Sequence, residues 1–250
     1  MNTHPMPKVN LSKSVKSYLL EYIRDAFHEG LTKLPPENVV AQNLGISRVT
    51  LRRALGELER DGIIIRMQGR GTFINPEAVS IQANFIPGEE FKKLIGACGY
   101  QASVEIIDLK KCLPSESDRR ILGLEAGEEI YSIEKLYLAN GHPAIVSVDR
   151  IPVNAIDICP QPDYMEQNSI FDLLRDHGGV VIERDKIAIE SVSHQKACTC
   201  AISAAQLECD SALLLRGINY DRANRPVLVD TELYDTNYIR FNLLRVKNVY

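Results

Sequence analysis

Between residues 12 and 29 the apolar positions Val15, Tyr18, Leu19, Tyr22, Ile23, Ala26 and Phe27 recur every three or four residues. That is the period of one amphipathic helix, and Gly30 is placed to end it. Pro35-Pro36 introduces a second, short helix with Val39, Val40 and Leu44 facing inward, and Gly45 suits the left-handed turn after it. Ser47 is a natural N-cap for a third helix running to about residue 60, whose buried stripe is Leu51, Ala54, Leu55 and Leu58. Asp61-Gly62 closes that helix. An apolar run at 63–66, a Gly-rich turn around Gly69 and Gly71 and a returning run at 72–74 predict a hairpin. Three helices followed by a hairpin make a winged helix-turn-helix.

The pattern breaks at Asn75-Pro76, and the less regular run to Pro87-Gly88 is the expected boundary. Beyond it, helical patches are expected near 89–98, 115–122, 169–177 and 195–207. They alternate with strand candidates at 103–109, 129–138, 144–151, 180–192, 212–220 and 227–234. Runs of strands with helices set beside them predict an α+β domain with a mostly antiparallel sheet and flanking helices rather than regular βαβ alternation. The 250 residues thus divide into a winged helix at 1–75, a linker at 76–88 and a larger second domain at 89–250.

Charge follows the same division. Residues 1–75 carry 11 Lys+Arg against 7 Asp+Glu, whereas residues 76–250 carry 18 against 26. A small basic module joined to a larger acidic one fits nucleic-acid contact confined to the first, because phosphate affinity needs local positive charge. Burying the leucine stripe of the third helix leaves Arg48, Val49, Arg52 and Arg53 on its opposite side, with Arg48 and Arg52 one turn apart. In a helix-turn-helix that N-terminal part faces base edges, so Ser47, Arg48, Thr50, Arg52 and Arg53 are the candidate contacts to double-stranded DNA. Arginine can hold guanine O6 and N7, or a phosphate, with two hydrogen bonds. In the hairpin, Gln68, Gly69 and Arg70 form a slim, charged tip suited to a minor groove.

No stretch approaches the roughly 18 uninterrupted apolar residues of a membrane helix, and the opening residues lack the layout of a signal peptide. The reading is a cytoplasmic protein with no membrane partner. Six cysteines in such a chain are expected as reduced thiols. Cys198, Cys200 and Cys209 form the one cluster, but C-x-C is not the paired spacing of a structural zinc site, so no metal or cofactor is expected. The five histidines are scattered, and no acid, base or nucleophile stands at a spacing that suggests an enzyme.

The stretch from Leu34 to Ile74 closely resembles the winged helix of the GntR family of bacterial transcription regulators. The likeness rests on LPPE at 34–37, LGISRVTLRRAL at 44–55, LERDG at 58–62 and GRGTFI at 69–74. It implies that Arg48, Thr50 and Arg52 contact operator DNA and that Gly69 and its neighbours form the wing. Many relatives have arginine after LPxE, contacting the DNA backbone, and this chain departs from them with Asn38. Residues 85–247 resemble UTRA, the effector-binding domain of the HutC branch of that family, through LIGACGY at 94–100, LGLEAGEEIYSIEKLYLANGHP at 122–143, SIFDLL at 169–174 and RPVLVDTELYDTNYIRF at 225–241. This implies a chorismate-lyase-like fold and a homodimer on a two-fold symmetric operator, often as a metabolite-released repressor.

UTRA domains that bind phosphosugars carry two arginines where this chain has Lys135 and Tyr137, and a common glutamate of the next strand is replaced by Ser147. The expected small-molecule effector is therefore not a sugar phosphate but a less charged or more aromatic compound, such as a small carboxylate or a nitrogen heterocycle. Lys135, Tyr137, Ser147, Asp149, Glu190, Tyr220 and Tyr234 lie on strands and are the candidate ligand contacts. Two alternatives stand beside this reading: an architectural DNA-binding dimer without an effector, and an enzyme of the chorismate-lyase-like fold.

Overall fold

The structure, a computed structural model, describes residues 11–79 and 91–242; residues 11–79 lie in one unit and 91–241 in another. In the first, helices α1 (Leu11–His28), α2 (Glu37–Asn43) and α3 (Arg48–Arg60) precede strands β1 (Ile64–Met67) and β2 (Gly71–Ile74) and a short helix α4 (Pro76–Val79). Val15, Leu19, Ile23 and Ala26 of α1 pack on Leu51, Ala54, Leu55 and Leu58 of α3, with Val40, Ala41, Ile64 and Ile74 closing the core. Each fully buried Leu or Ile of this kind contributes about 1.5–3 kcal/mol. Val39 departs from expectation and is exposed, because α2 turns Val40 and Ala41 inward instead. The linker expected from residue 76 opens with α4, which buries Ala78, while its residues 80–88 lie outside the described residues.

Strands β1 and β2 pair antiparallel from Ile64↔Ile74 to Met67↔Gly71. A third short stretch joins them: Leu34 donates its N–H to the Thr72 carbonyl and Ile74 to that of Thr32, both at 2.9 Å, which sets Lys33 opposite Phe73.

The second unit runs α5 (Phe91–Ala97), β3 (Ala102–Cys112), α6 (Glu116–Leu122), β4 (Ile130–Ala139), β5 (His142–Pro152), α7 (Pro162–Gln167), α8 (Ile170–Gly178), β6 (Arg184–Ser193), α9 (His194–Ala197), β7 (Ser211–Tyr220) and β8 (Pro226–Tyr234). All six strands form one antiparallel sheet in the order β3-β4-β5-β8-β7-β6. Asn140-Gly141 joins β4 to β5 with φ of 52° and 83°, the paired left-handed geometry that a tight two-residue hairpin demands.

Alternation along the strands gives the sheet two apolar sides. On one, Leu136, Val146, Val148, Leu214 and Leu233 pack against Ala197, Ala201, Ala204 and Leu207. On the other, Ile133, Ile151 and Leu228 meet Met165 of α7 and Ile170, Leu173 and Leu174 of α8. Ser115 caps α6, and Ser169 with Asp172 forms a capping box on α8. The helix expected over 195–207 is instead α9 followed by a separate 3₁₀ turn, Ile202–Gln206, because residues 198–201 leave the helical path to bury Ala201. The strand expected from 180 begins only at Arg184, and α7, which is not among the expected helical patches, starts with Pro162 in its first turn.

Candidate functional site

Ser47 caps α3: its Oγ accepts the Thr50 N–H at 3.1 Å and lies 2.8 Å from Thr50 Oγ1. With the leucine stripe buried, Arg48, Val49, Arg52 and Arg53 are all exposed, Val49 at 79%. An apolar side chain so exposed between arginines is suited to a thymine methyl group. Arg52 is tethered, its Nε donating to Glu37 Oε2 at 2.7 Å and so tying α3 to α2. Arg53 lies 3.9 Å from Glu57, one turn on. Arg66 of β1 donates to the Arg52 carbonyl at 3.4 Å and pairs with Glu59 at 3.2 Å, which fastens the hairpin to the same helix.

At the hairpin tip Gln68, Gly69 and Arg70 are exposed, and the Arg70 N–H donates to the Met67 carbonyl at 3.0 Å. The Phe73 ring carries two cations, Lys33 at 5.4 Å and Arg70 at 5.9 Å. Lys33 was absent from the sequence-based candidates; only its pairing opposite Phe73, far along the chain, brings it to the wing.

The second cluster is read across the sheet. Lys135, Ser147 and Glu232 stand in one row of paired residues, and Asp149, Asp230 and Gly217 in the next. Tyr137, Ile145 and Tyr234 make a third row, and period-two alternation puts all three on the side covered by α7 and α8. The buried Lys135 ammonium donates to the carbonyls of Met165 at 2.7 Å and Asn168 at 3.1 Å. Ser147 is fully buried and its Oγ has no hydrogen-bond partner among the described residues. Asp230 accepts a bond from Asn219 Nδ2 at 2.5 Å, and its carboxyl lies where a side chain at position 217 would stand, so only glycine fits there. The Tyr234 hydroxyl donates to Glu232 at 2.6 Å. Phe91 of α5 lies edge-on to Tyr137 at 4.8 Å and to Tyr234 at 6.1 Å.

Burial pushes the Asp149 carboxyl up to about 6, against the pull of Lys135 and Arg150. Burial, and then the charge of Asp149, push Asp230 up to about 7, with the Asn219 hydrogen bond opposing. Burial and Asp230 together push Glu232 up to about 8 against its bond from Tyr234. Asp185 of β6, paired across from Asn219, is raised by burial as well. Carboxyls this close on adjoining strands cannot all be charged at neutral pH, so they hold protons that water would remove.

Of the seven expected ligand contacts, Lys135, Tyr137, Ser147, Asp149 and Tyr234 share this face. Glu190 does not: it pairs with Leu214 of the opposite core, is exposed, and lies 3.2 Å from Lys196. Tyr220 stands apart too, at the strand end beneath the Arg184 guanidinium at 5.3 Å, beyond a register shift after Asn219 that upsets the alternation. Lys135 is present but engaged by backbone carbonyls, as an anchor for the end of α7. Asp230, Glu232 and Asn219 were missed, although the alternation in Pro226–Tyr234 puts Asp230 and Glu232 on the Tyr234 face. The glutamate lost at position 147 has a counterpart directly across the pair, Glu232.

Among the described residues, which include all six cysteines, there is no disulfide. Cys198 Sγ lies 3.5 Å from His194 Nε2, and burial pushes the Cys209 thiol up to about 11, which makes it a poor nucleophile. Among the described residues no group of three or more His, Cys, Asp and Glu is placed to hold a metal, and no helix is long and apolar enough to cross a membrane.

Comparison with known proteins agrees with both units. The UTRA domain matches residues 97–240, and the gntR family of bacterial regulatory proteins matches residues 11–74. The Histidine utilization repressor of Pseudomonas putida is 31% identical over 171 residues, 67% of this chain, which spans 64% of that protein's length. The HTH-type transcriptional repressor NagR of Bacillus subtilis (strain 168) is 25% identical over 190 residues, 76% of each chain. The crystal structure of the possible transcriptional regulator YydK from Bacillus subtilis subsp. subtilis str. 168 is similar in fold, with a TM-score of 0.69 at 16% identity over 95% of this chain and 100% of that one. A gntR-type winged helix followed by a UTRA domain that alone matches more than half of the sequence makes this chain a member of the GntR family of bacterial transcription regulators, of the HutC type, and a DNA-binding regulator rather than an enzyme.

Proposed function

We propose that this regulator is a cytoplasmic, effector-controlled repressor that grips a palindromic operator as a homodimer. Residues 1–75 read the DNA, 76–88 link, and 89–250 bind the effector and dimerise. Arg48, Thr50 and Arg52 face base edges and phosphates, Ser47 and Arg53 flank them, and Gln68, Gly69 and Arg70 enter the minor groove. The observation that carries this reading is the uncovered arginine face of α3, beside a hairpin fastened to the same helix by Arg66. The homodimer is supported by the edge strand β6, whose Ile187 and Ile189 are exposed beside an edge that no strand among the described residues pairs with.

The effector seat in this reading is the carboxyl-bearing face of the sheet. A sugar phosphate is disfavoured there, because an anionic phosphate is best held by bidentate arginine and this face carries acids. A ligand controls the operator only by binding two conformations unequally, and a tenfold change in affinity needs about 1.4 kcal/mol of coupling.

Operator titration by fluorescence anisotropy tests the assignment. Arg48→Ala and Arg52→Ala are each expected to weaken binding by about 1–3 kcal/mol, the first without lowering the melting temperature and the second with a loss of at most about 1 kcal/mol from its pair with Glu37. Undiminished affinity in both variants would sink it. A ligand that stabilises the protein yet leaves operator affinity unchanged would favour a DNA-binding dimer without effector control.

A further inference from the structure

We infer that the carboxyl-bearing sheet face takes the positively charged nitrogen group of the effector, an ammonium, amidinium or imidazolium, seated over Asp149, Asp230 and Glu232 and bonded to Ser147 Oγ. This rests on the reading that this face is the effector seat, and it replaces a small carboxylate as the ligand class.

Four observations converge. First, the acids of the face outnumber the cations beside them: Asp149, Asp185, Asp230 and Glu232 share it with Lys135, whose ammonium is directed at the backbone carbonyls of Met165 and Asn168, and with Lys111 at the far end of β3, which pairs with Glu129. On the covering helices, Lys92 of α5 donates to the Glu166 carbonyl, and Arg175 of α8 pairs with Asp172 and Asp176. His177 faces Asp157 at 3.4 Å, and Arg150, next to Asp149, turns to Thr231 and Asp118. Second, Ser147 is fully buried between Lys135 and Glu232, with a hydroxyl on the same face that has no partner among the described residues. A buried hydroxyl without a partner is uncommon in folded proteins and leaves bonding capacity that a ligand group can fill.

Third, Phe91, Tyr137 and Tyr234 stand beside the acids, and aromatic faces attract ammonium and guanidinium groups that carboxylates also bind. Fourth, Gly217 gives up a side chain so that the Asp230 carboxyl can lie over it, which keeps an acid where an apolar residue would pack more easily. A cation seated here favours the ionised carboxyls, so protons leave to solvent as it binds. Affinity for a permanently charged ligand therefore rises with pH through the range from about 6 to about 8, in which these groups titrate.

The test uses the full chain and simple probes at fixed ionic strength: methylguanidine, butylamine and imidazole against butyrate and glucose 6-phosphate. Saturable thermal stabilisation by the cations and not by the anions is expected. For methylguanidine, which stays charged, the apparent Kd should fall about tenfold between about pH 6 and about pH 8. Calorimetry in buffers of different ionisation enthalpy should report released protons. Asp230→Asn, which keeps an acceptor for Asn219, should weaken methylguanidine binding at least tenfold. Stabilisation by the anions alone, lost in Ser147→Leu, would overturn the charge assignment and leave the seat standing. Stabilisation that survives both Ser147→Leu and Asp230→Asn would place the seat elsewhere and overturn both readings, as would a lack of response to every probe.

Discussion

The arginine face of α3 and the carboxyl face of the large sheet both gather like charges, but water treats them differently. Arg48, Arg52 and Arg53 are exposed, so solvent and salt screen their repulsion. Asp149, Asp230 and Glu232 are drawn out of water, where repulsion between neighbours is several times stronger, and they relieve it by holding protons. The first surface is ready for a polyanion without any change of state. The second is poised, and its charge changes with what sits on it.

Removing one member of the buried cluster is the largest expected break in that comparison. Asp149, Asp230 and Glu232 are all raised above their unfolded values near 4, so the stability they contribute is complete below about pH 4 and is lost as pH rises through about 6 to about 8. The wild-type melting temperature should accordingly fall between about pH 5 and about pH 8, and Asp230→Asn should flatten that slope and gain on the order of 1–3 kcal/mol at the upper end. Calorimetric melts showing the same slope in both proteins would mean that the buried acids do not repel one another. A smaller effect is expected at the sheet edge. If the chain pairs through β6 as proposed, Ile189→Lys should weaken that dimer by about tenfold, roughly 1.4 kcal/mol, by sedimentation equilibrium, and an unchanged association would put the contact elsewhere. The smallest belongs to the winged helix, where Ser47→Ala removes the cap of α3 and should cost about 1 kcal/mol in thermal melts. A silent substitution would show that Thr50 needs no help from Ser47.

What could be read along the chain differs between the two regions for the same physical reason. The winged helix is built from contacts three or four residues apart, a cap and a tight turn, so Ser47, the leucine stripe and the arginine face were legible in one short stretch. Lys33 escaped, since its place depends on a strand partner 40 residues away. The sheet face is assembled from β4, β5, β7 and β8, and its neighbours are set by register rather than by spacing. The sequence put Tyr137, Ser147, Asp149 and Tyr234 on strands as candidates for one cleft, and register brings these four to the same face. Alternation could not say that Glu190 turns to the other side, nor that Glu232 would stand opposite Ser147. A residue apparently lost from one strand can thus be present one strand over, where comparison position by position does not look.

The tether between Glu37 and Arg52 has a consequence for the speed and sharpness of recognition. A free arginine side chain samples many rotamers, with about 2 kcal/mol of entropy to lose when it docks. Held by a carboxylate of the preceding helix, Arg52 has given up part of that freedom on folding, so in the proposed reading its fork is already aimed when DNA arrives. A surface whose key side chain is set in advance discriminates by fit, and a mismatched partner meets a group that cannot easily turn to accommodate it.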